Sequence, residues 1–202
     1  MPSQTKQVRF KNLVFEICDQ VYEPSEDSFL FAENLKVEKD DFVLDLGTGS
    51  GILAILASQK AHCVFSVDIN PFAVRCAKAN AKNNNAQNKM VFVQADMFSV
   101  FYEVKFDLVL FNAPYLPSEG EDNSWIARSW AGGASGRQII DRFIADVSDF
   151  LVPDGRVLMM QSTLAGLDES ITQFEKRGFK AKVVASLALP FFETLTLIEA
   201  TR

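Results

Sequence analysis

The segment FVLDLGTGSG, residues 42–51, decides how the rest of the chain is read. It begins as an apolar strand (residues 42–46) and breaks into glycines at alternate positions, Gly47, Gly49 and Gly51. Glycine lets the backbone turn tightly and come close to a ligand. The residues that follow, GILAILASQK (51–60), read as a helix. A strand, a glycine turn and a helix form the opening unit of an α/β sheet, in which ligands lie beyond the carboxyl ends of the strands. The spacing is G-x-G-x-G rather than the dinucleotide fingerprint G-x-G-x-x-G, so the loop alone names no nucleotide.

Outward from this unit the pattern repeats. CVFSVDI (63–69) reads as a strand and PFAVRCAKANAKNN (71–84) as a helix with proline in its first turn. MVFVQAD (90–96) and FDLVLF (106–111) read as strands, residues 137–151 as a helix, GRVLMMQS (155–162) as a strand and residues 167–177 as a helix. The tail, FKAKVVASLAL and ETLTLIEA, predicts two strands without an intervening helix, an antiparallel hairpin turning at Pro190, Phe191 and Phe192. The expected fold is α/β: a doubly wound, seven-stranded, mostly parallel sheet with a C-terminal antiparallel hairpin. Before it, residues 1–22 read as a strand-rich lead-in, and Ser25 is placed to cap a helix over 26–35 that has Glu26 and Asp27 in its first turn. No linker or repeat divides the chain, so residues 1–202 read as one domain, with 1–40 an extension and helix packing over the ligand site.

Composition narrows the function. The net charge of −6 argues against tight non-specific nucleic-acid binding, and Lys6, Arg9 and Lys11 read as a solvated terminal cluster. No apolar run approaches a membrane span and no signal-peptide pattern is present, which points to the cytoplasm. Cys18, Cys63 and Cys76 are odd in number and far apart in sequence, so neither a disulfide framework nor a metal site is expected. The single histidine, His62, reads as structural or solvent-facing.

Strand ends supply the ligand chemistry. Asp68 closes the second strand 21 residues after Gly47, where a carboxylate accepts both hydroxyls of a ribose. Asp96 closes the third, placed to accept from an adenine amino group while Met97 packs on the ring. The fourth ends in LFNAPYLP (110–117), where a carboxamide, a rigid turn and an aromatic ring leave the middle of the fold together.

DLGTGSG, VDIN, QADMF and NAPY, in this order, resemble the motif series of class I S-adenosylmethionine-dependent methyltransferases. VYEPSEDSFLF (21–31) and SWAGGASGRQIIDRF (129–143) narrow the resemblance to the HemK-like glutamine methyltransferases, in particular the short archaeal and eukaryotic branch. It runs from about Val21 to the C-terminus. The resemblance implies that Asp45, Gly47 and Gly49 hold the methionine part of S-adenosyl-L-methionine, Asp68 its ribose, and Asp96 with Met97 its adenine. It brings Ser28 to the cofactor, and Asn112 to both cofactor and substrate.

The acceptor so implied is a planar nitrogen. The Asn112 oxygen and the Ala113 carbonyl would accept its two hydrogens, Pro114 would fix the turn and Tyr115 would pack on the flat group. Position 113 departs from the family, whose members mostly carry proline there. Trp130, Gly132 and Gly133 would shape the substrate pocket, with Trp125 as a lid or a packing residue. The acidic loop residues Glu119, Glu121 and Asp122 suit a basic protein. The implied substrate is the Gly-Gly-Gln glutamine of a class I translation release factor. A base amino group of RNA or DNA, a protein lysine, and a non-catalytic cofactor-binding role remain as alternatives. Relatives in this branch work with a small zinc-binding activator subunit, and the third strand, Met90 to Ala95, is expected at a sheet edge, open to such a partner.

Overall fold

Alternation along each central strand sends successive side chains to opposite faces of one sheet, and each face buries its own core. The computed structural model describes residues 6–118 and 124–202. A short hairpin comes first, β1 (Lys6–Phe10) and β2 (Leu13–Ile17), followed by α1 (Glu26–Asn34). Then come β3 (Phe42–Leu46), α2 (Ile52–Ser58), β4 (Cys63–Asp68), α3 (Pro71–Asn83), β5 (Met90–Gln94) and β6 (Phe106–Asn112). The second half holds α4 (Trp125–Arg128), α5 (Gln138–Asp146), β7 (Leu151–Ser162), α6 (Leu167–Lys176), β8 (Lys180–Ala188) and β9 (Thr194–Thr201).

The sheet has seven strands in the order β5-β4-β3-β6-β7-β9-β8. β5 through β7 run parallel, while β9 is antiparallel to both β7 and β8. Strand order reverses between β3 and β4 on one side and β6 on the other, so the switch point lies between the ends of β3 and β6. Val43, Leu108, Leu110 and Leu158 face a core closed by Phe31 of α1 and by Ile52 and Ile55 of α2. Leu44, Val109, Phe111 and Met159 face the other, phenylalanine-rich core, closed by Phe143 of α5 and Phe174 of α6. There Phe98 stacks on Phe150 with ring centres 4.4 Å apart, and Phe111 lies 4.5 Å from Phe143.

Two asparagines on α3 dock the N-terminal hairpin as a neighbouring strand would. Asn80 Oδ1 accepts from the Glu16 amide at 2.8 Å while its Nδ2 donates to the Glu16 carbonyl at 2.9 Å. One turn on, Asn84 exchanges the same pair of bonds with Val14. Asn70 caps α3 by accepting from the Phe72 amide, and its Nδ2 holds the Gln20 carbonyl at 2.7 Å. The lead into residues 21–28 is thereby fixed beside the switch point.

Several sequence expectations change. Ser25 occupies the N-cap position of α1 but makes no side-chain cap bond; its hydroxyl turns to the Glu26 carboxylate. The helix expected over 137–151 ends at Asp146 in a 3₁₀ turn, Val147–Phe150. β7 starts at Leu151 rather than 155, with a register shift against β6 between Phe106 and Leu108 that absorbs the Pro153–Gly155 stretch. Cys18 and Cys76, distant in sequence, share one apolar cluster as free thiols. The acidic residues Glu119, Glu121 and Asp122 lie outside the described residues. Among the described residues no helix is long and apolar enough to cross a membrane.

Candidate active site

The glycine loop after β3 is held almost entirely by its own surroundings. The Thr48 amide donates to the Val67 carbonyl at 3.0 Å, and the Thr48 hydroxyl donates to Asp45 Oδ2 at 2.6 Å with Ser66 Oγ at 2.9 Å. Asp45 is fully buried, and desolvation, opposed by the Thr48 hydrogen bond and reinforced by nearby Asp68, pushes its carboxyl up to about 7. Gly47 and Gly49 adopt φ of +67° and +55°, and a Cβ on either would meet nothing closer than 3.9 Å, so the space before them is open. Gly51 differs: its Cβ would sit 3.0 Å from Ala77 Cβ, so this glycine serves the packing of α2 on α3.

Asp68 faces the same space. One carboxylate oxygen accepts from the Gly49 amide at 3.0 Å and the other from the Asn70 amide at 2.8 Å. A carboxylate offers about four lone-pair directions, so acceptor capacity remains for a pair of hydroxyls. Burial raises its pKa, which those backbone donors oppose. Beyond the strand ends opens a cavity of about 560 Å³, lined by Gly47, Asp68, Met97, Asn112, Tyr115 and Trp130 among others. Met97 holds φ +48°, a left-handed conformation uncommon for a side chain of its size.

The carboxamide of Asn112, at the end of β6, is oriented from across the molecule. Its Nδ2 donates to Asp27 Oδ2 at 2.9 Å and lies 3.5 Å from Ser28 Oγ. A carboxylate only accepts, so Asp27 forces the amino group toward itself and leaves Oδ1 on the other side. That Oδ1 is buried and has no partner within the protein. Asp27 is in turn fixed by the Ser28 amide at 2.6 Å and the Tyr22 hydroxyl at 3.2 Å, both on Oδ1. The phenols of Tyr22 and Tyr115 are pushed well above the usual tyrosine range, by burial first and by the Asp27 charge second, so both remain protonated at neutral pH.

A second segment secures the loop after Asn112. The Leu116 amide donates to the Trp130 carbonyl at 2.9 Å, the Gly132 amide to the Leu116 carbonyl at 2.8 Å and the Ser118 amide to the Gly133 carbonyl at 2.9 Å. The two backbones approach so closely that a Cβ on Gly136 would lie 2.4 Å from the Tyr115 carbonyl oxygen; within the second segment itself, one on Gly132 would lie the same distance from the Gly136 oxygen. Arg137, buried beside them, anchors the segment to Asp141 through Nη2 at 2.7 Å and to the Ala165 and Gly166 carbonyls.

Of the residues expected from sequence, Ser28, Gly47, Gly49, Asp68, Met97, Asn112, Ala113, Pro114, Tyr115 and Trp130 meet around this cavity. Trp125 joins them from α4, a helix the sequence reading left unassigned, with Arg128 stacked 5.0 Å over its ring. Three expectations shift. Asp45 does not line the cavity; its carboxyl organises the loop from behind. Asp96 lines it, but both its oxygens accept from Arg142, at 2.8 and 3.0 Å. Gly132 and Gly133 do not line it: a Cβ on Gly132 would strike the Gly136 backbone of the same segment, and one on Gly133 the Gln138 side chain. Asp27, read from sequence only as a first-turn acid, is the residue that reading missed; its signal lay in the VYEPSEDS motif itself.

The model of the methyltransferase small domain family matches residues 23–182. A Methanocaldococcus jannaschii protein provisionally named protein N5-glutamine methyltransferase MJ0928 is 39% identical over 198 residues, 96% of this chain and 98% of its own. Methyltransferase HEMK2 of Homo sapiens is 30% identical over 90% of each chain. Among solved structures, a chain of the E. cuniculi Mtq2-Trm112 complex, responsible for the methylation of the eRF1 translation termination factor, superposes with a TM-score of 0.68 at 24% identity, covering 91% of this chain and 99% of that one.

Proposed function

Because the chain belongs to the methyltransferase small domain family, we propose that it methylates the side-chain amide of a glutamine in a class I translation release factor, using S-adenosyl-L-methionine. The observation that carries the reading is the buried, unpartnered Asn112 Oδ1 beside a cavity that also presents Asp68 and two open glycines. When bound, the cofactor supplies an electrophilic methyl group on a sulfonium. Gly47 and Gly49 leave room for its close approach, Asp68 would hold the ribose diol, and Met97 would pack on the adenine. Asp96 serves the adenine edge only as its pairing with Arg142 allows.

An amide nitrogen is a poor nucleophile, since its lone pair is delocalised into the carbonyl. Asn112 Oδ1 accepts one of its hydrogens and the Ala113 carbonyl the other, which draws electron density to nitrogen and aims it at the methyl group. Alignment of this kind is worth roughly 7–11 kcal/mol in favourable systems. The bound cofactor would supply the methyl group and retain the bonding electron pair on sulfur, and the amide nitrogen held by Asn112 and Ala113 would release one N–H proton to solvent. Tyr22 and Tyr115 stay protonated and so do not serve as bases. Tyr115 packs on the flat amide and Trp130 closes the wall beside it.

We also infer a small partner subunit, of the kind present in the E. cuniculi Mtq2-Trm112 complex and zinc-binding in the family resemblance. β5 supports this as an edge strand, with Val91 exposed and Phe92 and Val93 only partly covered. The experiment that tests the reaction is transfer of labelled methyl to purified release factor, with mass spectrometry locating the group. Methylation at the glutamine is expected, and transfer to tRNA or rRNA alone would overturn the proposal.

A further inference from the structure

We propose that the tip of the β8–β9 hairpin, Phe191 and Phe192, is a docking element that grips an apolar patch on the protein substrate beside the acceptor residue. Both rings are fully exposed. Both residues hold left-handed backbone, with φ of 64° and 65°. Glycine or asparagine would occupy such positions without steric conflict, whereas a bulky side chain there is a genuine outlier. The turn is well made all the same: Pro190 opens it and the Leu189 amide donates to the Glu193 carbonyl at 2.8 Å across it. Strain of this kind persists where it serves function, and among the described residues none covers the rings to explain it as packing.

Topology sets the tip at the working end of the sheet. Asn112 is level with Met160 on β7, Ser162 with Leu195 on β9, and Thr194 with Ala188 on β8, so the hairpin turns just beyond the level of Asn112. β9 lies two strands from β6, a lateral separation of about 10 Å. Glu193, next to the rings, contributes to the raised pKa of the Tyr115 phenol, which ties the tip to the cavity electrostatically. The Thr194 amide donates to Thr163 Oγ1 at 3.0 Å, and this brings exposed Leu164 alongside.

The occupant follows from chemistry. A cavity of about 560 Å³ shared with a cofactor admits little more than the acceptor side chain, so the rest of a protein substrate must rest on the rim. Residues 187–194 contain no lysine or arginine. Bases stacking on the rings would therefore find no local cation for their phosphates, whereas an apolar protein surface needs none.

The proposal rests on the methylation reading above, and the test separates the two. Phe191→Asn combined with Phe192→Gly keeps the left-handed turn and removes both rings. The melting temperature should hold or rise, and cofactor affinity should be unchanged. For intact release factor kcat/KM should fall about 10- to 100-fold, mainly through KM. For a short peptide carrying the acceptor glutamine it should stay within about twofold of wild type, since the peptide does not reach the tip. Unchanged turnover of the intact factor, an equal loss with the peptide, or a marked drop in melting temperature would each overturn the docking role. Absence of wild-type transfer to the intact factor would overturn the methylation reading itself, and this inference with it, before any variant is measured.

Discussion

The loop after β3 and the loop after β6 leave neighbouring strands of one sheet, yet they are built by opposite means. The first is nearly self-contained: Asp45, Thr48, Ser66, Val67 and Asp68 hold one another across two consecutive strands. The second is held from elsewhere. Asp27, 85 positions upstream, orients Asn112, and the Trp130–Gly136 segment grips the backbone that follows. A binding loop made from local sequence can be carried intact through many enzymes of one fold, while an acceptor clamp assembled from three segments belongs to one chemistry. Substitutions should therefore separate the two: those at the clamp act on methyl transfer, and those at the glycine loop act on cofactor binding or stability.

Asn112→Ala should give the largest effect. Removing the unpartnered carboxamide oxygen is expected to lower transfer about 10³-fold, roughly 4 kcal/mol, by analogy with loss of a preorganised polar group. Cofactor affinity, measured by calorimetry, should change less than about threefold. A parallel collapse of cofactor binding would break the separation between the loops.

The glycine loop offers the reverse case. The Asp45 carboxyl has its pKa raised from 3.8 to about 7 in the fold. Below the lower value folded and unfolded chains both hold the proton. Between the two the unfolded chain releases it and the fold does not, so stability falls as pH rises toward 7 and then levels off. Asp45→Asn removes that dependence and keeps an oxygen for the Thr48 hydroxyl. Denaturant unfolding at pH 8 should show a gain on the order of 3 kcal/mol, shrinking toward zero near pH 4. A pH-independent difference would mean the carboxyl is not held neutral.

Asp27→Ala tests whether the clamp is truly borrowed. With no carboxylate to fix its amino group, the Asn112 carboxamide can rotate, and kcat should fall about 10²-fold with little change in cofactor affinity. Asp27→Asn retains one accepting oxygen and should recover part of the loss. Equal damage from both variants would point to a folding role for the α1 terminus instead.

The same contrast explains what could be read in advance. Strand periodicity and glycine spacing are local signals, so the seven-stranded sheet, its exposed β5 edge and its C-terminal hairpin were legible, as was Asp68 at its strand end. Asp27 was hidden because a first-turn acid already has a sufficient local reason, the helix dipole. The pairing of Asp96 was hidden because its partner Arg142 lies 46 positions away on α5. The need for glycine at 136 is likewise hidden, because the Tyr115 carbonyl that its missing side chain admits lies 21 positions away. The proximity of Cys18 to Cys76 likewise depends on how β2 lies on α3. What escaped the sequence in each case was a contact between distant segments.

Gly136→Ala and Gly51→Ala make a matched pair that sharpens this point with smaller effects. Both glycines hold positive φ, +73° and +85°, so the backbone strain introduced is similar. Their steric neighbours differ. A Cβ at 136 presses on the Tyr115 carbonyl at 2.4 Å, inside the acceptor clamp, whereas one at 51 presses on Ala77 at 3.0 Å, between α2 and α3. Gly136→Ala should displace the Asn112–Leu116 backbone by a fraction of an ångström and cost about 10- to 30-fold in kcat, with cofactor affinity kept. Gly51→Ala should lower stability by about 1–3 kcal/mol and weaken cofactor binding through the shifted helix start, with kcat at saturating cofactor nearly retained. If the two variants prove interchangeable in these assays, the loops are one mechanical unit, and the division between a local cofactor loop and a borrowed acceptor clamp does not hold.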